Sequence, residues 1–148
     1  MIFYLKAEAL TNCEEQLTQE SEILLRIGKR HHLDEKHGTL TTRIFRLSTN
    51  DEGKLSHFRS SVTDANKVHS AVRQHSPDGL VGIWGLTLGD VHNHGLRAVD
   101  DSICEMDVYD LGSHAYVDFR NISGTKMEQK QLRASLLYAM NKLGRLAS

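Results

Sequence analysis

The residues best suited to chemistry lie between Ile103 and Arg120, in the stretch ICEMDVYDLGSHAYVDFR. Cys104, Met106 and Val108 alternate with Glu105, Asp107 and Tyr109, and Ala115, Val117 and Phe119 alternate with His114, Tyr116 and Asp118. Period-two alternation gives a strand one apolar and one polar face. Asp110-Leu111-Gly112-Ser113 reads as a turn, so the stretch is expected to be a hairpin. Tyr109 then lies opposite His114, Asp107 opposite Tyr116, and Glu105 opposite Asp118. Like charges directly opposite cost roughly 0.2–1 kcal/mol. Carboxylates kept in that arrangement could hold a divalent cation or shift a pKa. The plainer reading is a solvated sheet face with its side chains splayed apart. Asp100, Asp101, Glu105, Asp107, Asp110 and Asp118 meet only Arg97 and Arg120 as neighbouring bases, so an acidic face is expected. Its binding candidates are Glu105, Asp107, Tyr109, His114, Tyr116 and Asp118.

The second candidate is His92-Asn93-His94. In an extended segment, residues two apart point to one side, and both imidazoles could face one metal ion. Zinc wants three or four ligands, which Asp90, Cys104 or His114 would have to complete. The competing reading is a polar turn, because Gly89, Asp90, Asn93 and Gly95 are all turn-formers.

A third cluster runs from His31-His32 to His37 beside Arg26, Lys29, Arg30 and Lys36. It reads as a solvated basic segment, or as a phosphate or nucleic-acid contact that Arg43, Arg46, Lys54 and Arg59 could extend. An RNP-like aromatic motif is absent. So are a nucleophile elbow, a P-loop and a dinucleotide-binding glycine motif. His37-Gly38-Thr39 matches half of a paired HxT signature, but neither His69 nor His114 supplies the other half. Cys104 on an apolar strand face would be an inert thiol. Cys13 near a helix N-terminus would have its pKa lowered, with no His partner to assign.

These residues need elements to position them. Ile2 to Leu5 reads as an opening strand. Thr11 and Asn12 offer helix caps, and Leu17, Ser21, Leu24, Leu25 and Gly28 fall on one helical face. Thr39 to Leu47 is rich in β-branched residues and reads as a strand, and Leu55 to Arg59 as a short return strand. Val62, Ala65, Val68 and Val72 make a helical stripe that ends before Ser76-Pro77-Asp78-Gly79. Leu80 to Val91 is a short apolar run that reads as a buried strand rather than a helix, and its glycines suggest bulges or close backbone approach. Thr125 and Glu128 form a capping box ahead of a helix carrying Met127, Leu132, Leu136, Met140 and Leu143. The expected fold is α+β with a mainly antiparallel sheet: a ferredoxin-like β-α-β-β-α-β core, a β-hairpin and a C-terminal helix, in a single domain over 1–148.

The chain of 148 residues carries a net charge of -1, which disfavours a generally basic nucleic-acid binder and leaves only a local patch for that role. Its two cysteines lie far apart and indicate no disulfide framework, so a reducing cytoplasm is expected. No stretch reaches the length and apolarity of a membrane span. Since no complete catalytic constellation emerges, the expectation is a small soluble non-enzymatic binding or regulatory protein that self-associates or meets a protein partner. No cofactor is required, although a divalent metal would suit the acids and histidines. The alternative is a metal-dependent phosphoester hydrolase or nuclease using the acidic and histidine face, with a cation activating water.

Overall fold

A computed structural model describes residues 9–104, 108–120 and 122–148. Among them the chain forms β1 (Glu15–Gln16), β2 (Ile23–Lys29), β3 (Lys54–Arg59), α1 (Ala65–His75), β4 (Leu80–Thr87), α2 (Leu88–Asn93), β5 (Arg97–Asp100), β6 (His114–Asp118) and α3 (Lys126–Leu143). The strands make a six-stranded sheet in the order β1-β5-β6-β3-β2-β4, with every neighbouring pair antiparallel. The α+β class and the antiparallel sheet are as the sequence predicts. The ferredoxin-like order is not seen in full, because β2 stands where its first helix was expected.

Burial on both faces of the sheet explains this departure. Ile23-Leu24-Leu25 is apolar at successive positions, with Ile27 following beyond Arg26, a pattern that suits either a buried strand or a helix. Leu24 joins the larger core cluster, with Trp84, Leu86, Leu55 and α3's Leu132, Leu136 and Met140. Leu25 joins the smaller one, with Phe58, Ile83 and α1's Val68 and Val72. Neighbours facing opposite clusters define a strand with both faces covered. Gly28 therefore does not end a helix. A Cβ there would lie 2.2 Å from Trp84 Cζ3, so the glycine lets the indole pack on the backbone.

Two further expectations are corrected. Thr39 to Leu47 is not a strand: Thr42–Phe45 is a 3₁₀ turn capped by the Thr41 side chain, and it buries Ile44 and Phe45. Nor do Ile103 to Arg120 form one hairpin. Among the described residues of this stretch only His114–Asp118 is a strand, and it pairs with β5 on one side and β3 on the other. Residues 101–104 and 108–113 are turns and irregular chain. As a central strand β6 buries Ala115, Tyr116, Val117 and Asp118 alike, so its alternation does not separate core from solvent. The opening strand at Ile2 to Leu5 and the residues Glu105 to Asp107 lie outside the described residues.

The remaining elements follow the sequence closely. Leu55 to Arg59 lies within β3, the α1 stripe buries Val68 and Val72, and Leu80–Thr87 of the Gly-interrupted run is β4, whereas its last residues, Leu88 to Val91, belong to α2. In the α3 capping box, Thr125 Oγ1 accepts from Glu128 N and Glu128 Oε1 accepts from Thr125 N, both at 3.1 Å. The ends of the two stripes differ from expectation: Val62 and Met127 are exposed. The outer edge of β4 is covered by the C-terminal segment, where Ile83 N donates to Ala147 O and Leu146 N donates to Ile83 O. That cover removes one of the open edges through which sheets pair. Finally, Cys13 and Cys104 form a disulfide between residues 91 apart. It ties the segment before β1 to the loop after β5, so Cys104 is neither a free thiol nor a residue on a strand face. The spacing hid this bond because only the β1–β5 pairing brings the two cysteines together.

Candidate functional site

Of the residues expected to make an acidic face, Asp100 and Asp118 are paired with arginines. Asp118 on β6 stands opposite Arg97 on β5 and Lys54 on β3. Its fully buried carboxylate accepts from Arg97 Nε, Arg120 Nε and Arg120 Nη2, each at 3.0 Å. Burial pushes this carboxyl up, but the hydrogen bonds from Arg120 and Arg97 more than offset it and hold the group below the ordinary aspartate range. The two bases at the ends of the acidic run are thus the partners of its last acid. Two strands away in the order, Glu14 receives the Tyr116 hydroxyl at 2.5 Å, and Arg120 Nη2 donates to the same hydroxyl at 3.2 Å. Burial and then the Glu14 contact raise the Tyr116 pKa.

His114 and Tyr109 sit further along this face. His114 Nδ1 donates to Asp101 Oδ1 at 2.6 Å, and its ring meets Phe58 edge-on at 5.7 Å. Tyr109 packs on Phe58 at 6.0 Å and on His75 at 6.2 Å. Phe58 therefore gathers Tyr109 and His114, while Tyr116 and Asp118 belong to a separate net of arginines. Glu105 and Asp107 lie outside the described residues. On the opposite face, Arg59 bridges Glu22, at 2.9 Å from Nη2, and Asp100, at 2.7 Å from Nη1. Glu22 also accepts from the Ser61 hydroxyl. This bridge joins residues remote in sequence, and sequence reasoning missed Glu22 altogether.

His92 and His94 do not share a side. The segment is the end of α2 rather than extended chain, so residues two apart diverge around the helix. His92 Nδ1 faces Glu20 Oε1 at 3.4 Å, whereas His94 Nδ1 donates to the Asp90 carbonyl at 2.6 Å. Among the described residues, no three of His, Cys, Asp and Glu come together as a group that could hold a metal ion.

The basic residues are what converge. Between the Thr42–Phe45 turn and α3 lies a cleft of about 630 Å³, a size in the range of small-ligand sites. Its cations are Arg43 and Arg46 from the turn, and Lys130 and Arg133 from α3. Phe45, Leu47, Phe119 and Ile122 make its apolar wall, and Gln129 adds a neutral amide. No carboxylate lines it among the described residues. Arg43 is already committed: Nε donates to Thr41 Oγ1 at 3.1 Å and Nη2 to the Leu33 carbonyl at 2.8 Å. Among the described residues, the side chains of Arg46, Lys130 and Arg133 make no hydrogen bond or ion pair.

A second cleft of about 560 Å³ adjoins across Arg43, with Lys29, Arg30 and His31 among its lining. Nearby, His32 accepts from Lys29 N at 3.0 Å. Burial, reinforced by the charges of His31, Arg26, Arg43 and Lys29, pushes its pKa down to about 3. Of the residues expected to extend the basic cluster, Arg43 lines this second cleft, whereas Arg46 lines the first. Lys54 instead lies over the Tyr116 ring at 5.3 Å, and Arg59 is held by Glu22 and Asp100. Lys130 and Arg133 were missed, although their spacing of three on a helix puts them on one face. No family model, curated protein or solved structure matches the chain.

Proposed function

We propose that this chain is a small non-enzymatic binding protein and that its ligand is an anion held in the cleft between the Thr42–Phe45 turn and α3. One observation carries the reading: Arg46, Lys130 and Arg133 converge on a concave surface with no carboxylate among the described residues to neutralise them. In a chain of net charge -1, three such cations in one cleft are not a general excess of base. On the sheet, by contrast, Arg59 is held by Glu22 and Asp100, and Arg120 by Asp118. Guanidinium and ammonium groups with free donors suit phosphate or carboxylate. A confined cleft favours a small ligand over a nucleic acid, which would need a basic stripe along the surface.

Calorimetric titration with inorganic phosphate tests the proposal. Saturable binding in the millimolar range or tighter is expected, weakened at least tenfold in Arg46→Ala/Arg133→Ala, a loss of about 1.4 kcal/mol. Identical heats in wild type and variant, or no saturable heat, would overturn it.

Self-association belongs to the same proposal. Its support is Ile103 and Val108, which stand 85% and 77% exposed on the loop anchored by the disulfide. A strict monomer in sedimentation would remove that part. The disulfide supports an oxidising compartment over the cytoplasm that the cysteine spacing suggested. Among the described residues, no helix is long and apolar enough to cross a membrane.

A further inference from the structure

Resting on the reading of this cleft as an anion site, we infer that its ligand is an amphipathic anion: a phosphate or carboxylate head carried on an apolar body. Two of the three free cations come from α3, and the apolar side chains come from the turn and the 119–122 segment, with Arg46 between Phe45 and Leu47. Lys130 and Arg133 come from one helical face, and Arg46 flanks the turn. Leu47, Phe119 and Ile122 pack their inner sides against the main core cluster and remain only partly buried on the cleft side. Phe45, buried in the 3₁₀ turn, forms the base of that wall.

An inorganic ion would satisfy the cations and leave this apolar wall in water. A wholly apolar ligand would cover the wall and strand three cations. Only a ligand with both parts satisfies both halves of the cleft. Arg43 strengthens the argument, because its bonds to Thr41 and Leu33 fix the turn that presents Arg46 and Phe45. The cleft is to this extent shaped before a ligand arrives.

The test is a series of n-alkyl phosphates from ethyl to heptyl, with the matching n-alkyl carboxylates, titrated below their micelle concentrations against inorganic phosphate as reference. Affinity is expected to rise roughly fourfold per added methylene until the wall is covered. The slope should fall in Leu47→Asn and in Ile122→Asn, and circular dichroism would confirm that each variant is folded. A rise with chain length in either head-group series supports the inference, and the tighter series identifies the head. Inorganic phosphate binding with no dependence on chain length overturns the amphipathic ligand and leaves the anion site standing. If neither phosphate nor any alkyl anion binds, both readings fall.

Discussion

Opening the Cys13–Cys104 bond is the perturbation with the largest effect that can be worked from the structure. The bond closes a loop between residues 91 apart. In the chain-entropy description, a loop of that length stabilises the fold by about 4.6 kcal/mol at 25 °C, because the unfolded chain loses freedom it would otherwise regain. The native state has little to replace the bond. β1 is an edge strand of two residues, paired only through Glu15 with Asp100 and Gln16 with Val99. For a chain of this size about 2–4 °C of melting temperature accompanies each kcal/mol. Cys104→Ser should therefore melt about 9–18 °C below wild type in scanning calorimetry. Wild type with a thiol reductant should fall to the same temperature, and the variant should not respond to reductant. The reasoning is refuted if native unreduced protein titrates two free thiols, or if the variant loses less than about 1 kcal/mol, the size of an ordinary substitution.

Three other outcomes are expected. His57 is fully buried, donates through Nδ1 to the Leu55 carbonyl at 2.9 Å, and leaves Nε2 without a partner. Burial, then the charge of Arg26, depresses its pKa to about 3, so the unfolded chain takes up a proton near pH 6.5 that the folded chain refuses. Its contribution to stability is then complete above pH 6.5 and lost as pH falls towards 3. About 2 kcal/mol should go between pH 7 and pH 5, and urea denaturation of His57→Leu should show a pH dependence smaller by that amount. Asp118→Asn leaves Arg97 and Arg120 without their shared carboxylate and should cost about 3 kcal/mol, measured by the same method. The wild-type contribution of Asp118, whose folded pKa is lowered, should persist above the ordinary aspartate range and disappear as pH falls through that folded value. Gly28→Ala drives a methyl into the Trp84 ring and should cost about 1–3 kcal/mol, with a change in tryptophan fluorescence.

Reading the sequence succeeds where a feature is local. The α3 capping box needs only Thr125 and Glu128, three residues apart, and the structure forms it. Pro77 and Gly79 end α1 because their backbone preferences act without help from the rest of the chain. The glycines of β4 announce close approach, and Gly82 and Gly85 are crowded by Arg145 and Ile23.

What the sequence by itself determined about this protein is therefore its α+β class, the helices α1 and α3, and the strands β3, β4 and β6. Only the tertiary structure decided the rest, because each remaining feature depends on a partner far away in the chain. Ile23–Lys29 becomes a strand because β3 and β4 flank it and both its faces are buried. Asp118 meets Arg97 rather than an acid because β5 lies beside β6. Two cysteines that suggest nothing by their spacing are joined because β1 pairs with β5. The basic cleft exists because α3 packs beside the Thr42–Phe45 turn, bringing Lys130 and Arg133 to cations some ninety residues earlier.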